Sequence, residues 1–139
     1  MGKTAIVYAT LTGHSKKIAE AIGQALGIKA VNISALPSLE KSDLLFIVGG
    51  IYGGKSLPAL LRFVKTLDPG NVNRTALLTS SARGQKQDHV RALLREKGIE
   101  VLDEFICPGS FLFLSMGHPN KTDLQEAIDF ALKVAGKDS

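Results

Sequence analysis

The chain has 139 residues, 45% hydrophobic and 22% charged, a balance that fits one domain burying a core without disulfides or a structural metal. A single cysteine, Cys107, excludes an internal disulfide and a cysteine-cluster zinc site, and no apolar run approaches the ~20 residues of a membrane-spanning helix. The net charge of +4 suits an anionic surface or an acidic partner as well as plain solubility, while two Tyr, six Phe and no Trp offer no stacking series for nucleic acid.

Thr4 to Ala9 reads as a short core strand. It leaves no room for a removable leader and, with the lone cysteine, points to the cytoplasm. Ile18, Ile22 and Leu26, with Ala19 and Ala25, recur at helical spacing and predict a helix over His14 to Leu26, stopped by Gly27. Ala30 to Ile33 is a second strand, and Pro37 breaks the irregular stretch that follows. Leu44 to Val48 is continuously apolar, as a central strand buried on both faces should be. A helix over Pro58 to Leu67 carries proline in its first turn. Thr75 to Thr79 is the fourth strand, Lys86 to Lys97 a helix closed by Gly98, and Val101 to Cys107 the fifth strand. Thr122 to Gln125 reads as a capping box opening a last helix that ends at Gly136. Five strands alternating with helices imply one α/β domain over residues 1–139, its parallel sheet covered on both faces.

The most informative stretch joins the first strand to the first helix: Thr10, Leu11, Thr12, Gly13, His14 and Ser15. The amides at a helix start lack intrahelical partners and the helix dipole favours an anion there. Gly13 lets backbone pass close to a phosphate, and Thr10, Thr12 and Ser15 add hydroxyl donors, so no lysine is needed. Read alone, the same residues would serve as a simple N-cap.

Tyr8 to Ile22 resembles the phosphate loop of the flavodoxin family, whose form is Ser/Thr-x-Thr-Gly-x-Thr/Ser. Val48 to Gly54 resembles that family's second flavin loop, with Gly50, Ile51, Tyr52, Gly53 and Gly54 as the implied flavin contacts. Thr79 to Gly84 resembles its third, with Ser80, Ser81, Ala82, Arg83 and Gly84 as the implied contacts. Glu104 to Gly109 and Gly117 to Leu124 are similar to segments of short bacterial and archaeal members. The resemblance implies a flavodoxin-like doubly wound sheet of order 2-1-3-4-5, with FMN at its carboxyl edge. It implies electron transfer between a reductase and an acceptor, the partner being a redox partner protein or a small electron acceptor, and the basic charge points to an acidic one. An FMN-dependent oxidoreductase of quinone or protoporphyrinogen type and a flavodoxin-like binding module without cofactor are the alternatives. Tyr52 is the candidate for stacking on the flavin and His14 for flanking it. The chain departs from the family's usual acidity, and its third loop lacks the Gly-Asp and Tyr pattern of many electron carriers.

Gly49 to Ser56 also matches the nucleotide-binding pattern G-x-x-x-x-G-K-[ST]. Pro58 argues against that reading, because it would fall at the end of the helical turn that must cradle phosphate. Of the remaining residues, His89 reads as a surface residue and His118 as a loop contact. Cys107 reads as a buried inert thiol. Phe111, Phe113 and Leu114 read as a flavin wall, a partner surface or packing against the sheet. No group of residues has metal-ligand spacing.

Overall fold

A computed structural model describes residues 3–9, 13–35, 41–52, 55–81, 85–107 and 121–138. In chain order the elements are β1 (Thr4–Tyr8), α1 (His14–Leu26), β2 (Ala30–Asn32), a single 3-10 turn (Ile33–Ala35), β3 (Ser42–Tyr52), β4 (Lys55–Ser56), α2 (Pro58–Lys65), β5 (Val72–Ser80), α3 (Asp88–Glu96), β6 (Glu100–Cys107) and α4 (Lys121–Asp138). The main sheet runs β2-β1-β3-β5-β6, every neighbouring pair parallel. With the two-residue β4 set aside, this is the expected 2-1-3-4-5 order.

Strand periodicity sorts the core into two layers. Ile6, Tyr8, Leu44, Phe46, Val48, Ala76 and Leu78 face one side, where Ile18 and Ile22 of α1 and Ala127 and Ala131 of α4 cover them. Val7, Leu45, Ile47 and Leu77 face the other, against Leu60 and Val64 of α2 and Val90 and Leu94 of α3. The unbroken run Leu44–Val48 is explained by this: β3 lies mid-sheet, and all five of its residues there are 0% exposed. Across the sheet Val7, Ile47 and Leu77 stand in register.

Several boundaries differ from expectation. β3 is longer at both ends than Leu44–Val48: it continues through Gly49 and Gly50, paired with Thr79 and Ser80 of β5, and then turns into an antiparallel hairpin with β4. β5 likewise begins at Val72, three residues ahead of Thr75. α3 starts at Asp88 rather than Lys86, because Gln87 is drawn into the interior and 0% exposed. Thr122 lies inside α4, which begins at Lys121, so the expected capping box does not open it. α4 also runs through Gly136 to Asp138; in the last turn, glycine's cost of ~1 kcal/mol relative to alanine does not end a helix. Pro58 occupies the first turn of α2, where its missing N–H forfeits no intrahelical bond.

Candidate functional site

The carboxyl ends of β1, β3, β5 and β6 lie along one edge, together with the start of α1. The N–H of Ala9 donates to the carbonyl of Val48 at 2.9 Å, and that of Ser81 to the carbonyl of Cys107 at 2.9 Å, so the edge stays aligned beyond the ladders. Of the expected site residues, Gly13, His14, Ser15, Gly50, Ile51, Tyr52, Ser80 and Ser81 are described. Thr10, Leu11, Thr12, Gly53, Gly54, Ala82, Arg83 and Gly84 lie outside the described residues, as does the connection over 108–120.

Gly13 caps α1 at φ +90°, a left-handed conformation that an L side chain takes only with strain. The first intrahelical bond runs from the Lys17 N–H to the Gly13 carbonyl at 3.2 Å, so the amides of Ser15 and Lys16 precede the ladder. No acidic side chain occupies this first turn. Ser15 is 0% exposed, and its Oγ is the one buried side-chain polar atom, among the described residues, without a hydrogen-bond partner. An orphaned buried hydroxyl costs about 1–3 kcal/mol. Beside a helix start, where positive potential collects, it is an arrangement that accepts an anion.

The second and third loops are tied together by a buried polar network that sequence reasoning missed. Ser56 Oγ donates to Gln87 Oε1 at 3.0 Å, and Gln87 Nε2 donates to Thr79 Oγ1 at 3.1 Å. Thr79 Oγ1 donates to Glu104 Oε2 at 2.5 Å, which also accepts from the Gln87 N–H at 2.9 Å. Arg91 Nη2 holds the other oxygen, Oε1, at 2.5 Å, with the Glu104 side chain 2% exposed. Both carboxylate oxygens and both ends of the Gln87 amide are thereby used, as buried polar groups require. Ser81 Oγ accepts the Gln85 N–H at 2.9 Å and closes the third loop at its base. The polar residues Thr79, Gln87 and Glu104 are visible in the sequence, but only the tertiary fold shows that they meet.

The hairpin also decides the competing nucleotide motif. Lys55 and Ser56 form a strand paired to Tyr52 and Ile51, and the helix starts only at Pro58. Their amides are therefore not the first turn of a helix, and the Ser56 hydroxyl is engaged by Gln87. Gly49 serves packing: a Cβ there would stand 2.7 Å from Leu60 Cδ2.

Cys107 ends β6 in a fully buried position, as expected, and burial pushes its thiol up to about 12, with Asp123 and Glu126 adding in the same direction. Such a thiol is inert at neutral pH. Among the described residues no group of His, Cys, Asp and Glu is placed to hold a metal ion, and no helix is long and apolar enough to cross a membrane.

The flavodoxin-domain family model matches residues 5–109 of the chain. An uncharacterised protein of Methanocaldococcus jannaschii is 28% identical over 136 residues, covering 87% of this chain and 89% of its own length. Among solved structures, a flavodoxin from the domain Archaea superposes with a TM-score of 0.67 at 18% identity, covering 98% of both chains. A short-chain flavodoxin associated with a bacterial microcompartment reaches 0.70 at 19% identity, covering 99% of both. A flavoprotein of Lactobacillus acidophilus in complex with FMN gives 0.57 at 16% identity, covering 76% of this chain and 93% of its own. At these identities the structural likeness shows the fold.

Proposed function

The chain belongs to the flavodoxin family, and from that premise we propose that it binds FMN at the carboxyl edge of its sheet and carries electrons. The observation that carries this reading is Ser15: a fully buried hydroxyl without a partner, two residues beyond a left-handed glycine, at the start of α1. The residues fit a phosphate. Ser15 Oγ and the amides ahead of the α1 ladder would hold it, with Thr10 and Thr12 adding hydroxyls from the preceding loop. Gly50, Ile51 and Tyr52 on one side, and Ser80 and Ser81 on the other, are the backbone that would flank the ring.

Bound flavin supplies the one- and two-electron chemistry; the protein supplies position and electrostatics. The Ser56–Gln87–Glu104 network holds the bases of the two flanking loops at fixed separation, so that they need little rearrangement to receive a rigid ring. The partner in this reading is a redox protein or small acceptor of acidic character, matching the net charge of +4, and the setting is the cytoplasm.

The test is direct. Purified protein should be yellow and release FMN on denaturation, and protein stripped of flavin should quench FMN fluorescence at least tenfold more tightly than riboflavin. A colourless protein that quenches neither would make this chain a flavodoxin-like module without cofactor.

A further inference from the structure

A groove of about 720 Å³ opens beside the proposed flavin edge, between the β3–β4 hairpin and the start of α3. Ile51, Lys55 and Ser56 form one wall; Lys86, Asp88 and His89 form the other. Its size falls within the ~300–1,000 Å³ of small-molecule sites. We propose that this groove is a second binding site, separate from the phosphate loop, for a small organic anion carrying a carboxylate, sulfonate or phosphate group.

Three observations carry the proposal. First, the groove carries an excess of positive charge, two lysines against one lining carboxylate. Lys55 and Lys86 are exposed on opposite walls and, among the described residues, neither forms an ion pair. The one lining carboxylate, Asp88, lies 3.4 Å from Arg91 Nη1, outside the lining residues. Two like charges facing one cleft raise the local potential, and an anion between them relieves their repulsion. Second, the walls are built rather than loose. Ser56 and Gln87 are both buried, and the hydrogen bond between them at 3.0 Å joins the hairpin to the start of α3. Gln87 is held in turn by Thr79 and Glu104, so the groove exists before any ligand arrives. Third, Ile51, only partly buried, offers an apolar face for a hydrocarbon body behind the charged group. That combination favours an organic anion over inorganic phosphate.

The groove lies on the α2/α3 side of the sheet, whereas α1, with Ser15, packs on the other side. Apart from Ile51, whose backbone the flavin reading sets beside the ring, its residues define it without reference to flavin; that its occupant exchanges electrons with flavin rests on the reading above.

The experiment uses the full chain with FMN added to saturation, and naphthalene-2-sulfonate as probe, with naphthalene-2-sulfonamide as its neutral counterpart. Amide chemical shifts of the ¹⁵N-labelled protein locate and quantify binding. The sulfonate should shift Ile51, Lys55, Lys86 and His89, at least tenfold more tightly than the sulfonamide. Lys55→Gln with Lys86→Gln together should weaken it at least tenfold while FMN affinity stays within twofold. Equal binding of both probes, shifts elsewhere, indifference to the double substitution, or displacement of the sulfonate by FMN would each overturn the proposal. If FMN fails to bind but the sulfonate still marks these residues, the flavin reading falls and the anion site stands.

Discussion

Ser15→Ala separates a residue kept for a ligand from one kept for the fold. In the ligand-free protein the Ser15 hydroxyl is buried and unpaired, so its removal deletes a desolvation cost of about 1–3 kcal/mol. Alanine adds up to about 0.5 kcal/mol of helix propensity over serine. The lost contacts of one oxygen return a few tenths of a kcal/mol. The net expectation is a ligand-free protein more stable by about 1–3 kcal/mol. In a chain of 139 residues that raises Tm by about 3–5 °C for each kcal/mol. The bound state should move the other way. A hydrogen bond to a charged group contributes about 1.5–3 kcal/mol, so FMN should bind roughly 10- to 100-fold more weakly. Riboflavin, which has no phosphate, should bind both proteins alike. Thermal unfolding of the ligand-free chain and fluorescence titration with each flavin provide the two readouts. Loss of stability with unchanged FMN affinity, or equal losses for FMN and riboflavin, would refute the assignment of this hydroxyl to phosphate.

Gly49→Ala, which sets a Cβ 2.7 Å from Leu60, should destabilise by about 1–3 kcal/mol through overpacking, read as a shift in urea midpoint at constant slope. Arg91→Ala strips a nearly buried Glu104 of its cation and should cost about 2–3 kcal/mol, reduced because Arg91 is partly solvated; in a double-mutant cycle with Glu104→Gln the two losses should not add. The thiol of Cys107 is raised from 9.0 to about 12 in the folded chain, so its contribution to stability is complete below pH 9 and is lost as pH rises toward 12. Stability of the wild type should therefore fall more steeply with pH over that window than stability of Cys107→Ala, and the native thiol should resist alkylation until the chain unfolds. Magnesium-ATP should neither bind nor turn over, as judged by calorimetry and phosphate release; hydrolysis abolished by Lys55→Ala would revive the nucleotide motif.

The elements were legible because their determinants are local and repeated, whereas the strand order came from the resemblance of the loop sequences to the flavodoxin family. The run Leu44–Val48 could only be a strand covered on both faces, and Ile18 and Ile22 only the inner stripe of a helix. What escaped was whatever depends on two distant segments meeting. β3 passes through Gly49 and Gly50, residues that read as a loop, because β5 offers Thr79 and Ser80 as partners. Lys55–Ser56 becomes a strand only because Ile51 and Tyr52 lie opposite. At the site, Gly13 and Ser15 could be named from their place between strand and helix. That the Ser15 hydroxyl is orphaned, and that Gln87 spans the interior from Ser56 to Thr79, depends on packing that no periodicity records.

The two flanking loops are each closed at the root. Pairing of Ile51 with Ser56 and Tyr52 with Lys55 closes one, and the bond from the Gln85 N–H to Ser81 Oγ closes the other. A loop whose ends are already fixed can change length cheaply, since doubling it adds only about 0.6 kcal/mol of closure entropy. The pairings at the two roots, not the residues that join them, therefore hold the register of the sheet. Gln87, bonded to both Ser56 and Thr79, sets the distance between the two roots, so a change of length over 53–54 or 82–84 should leave that spacing in place.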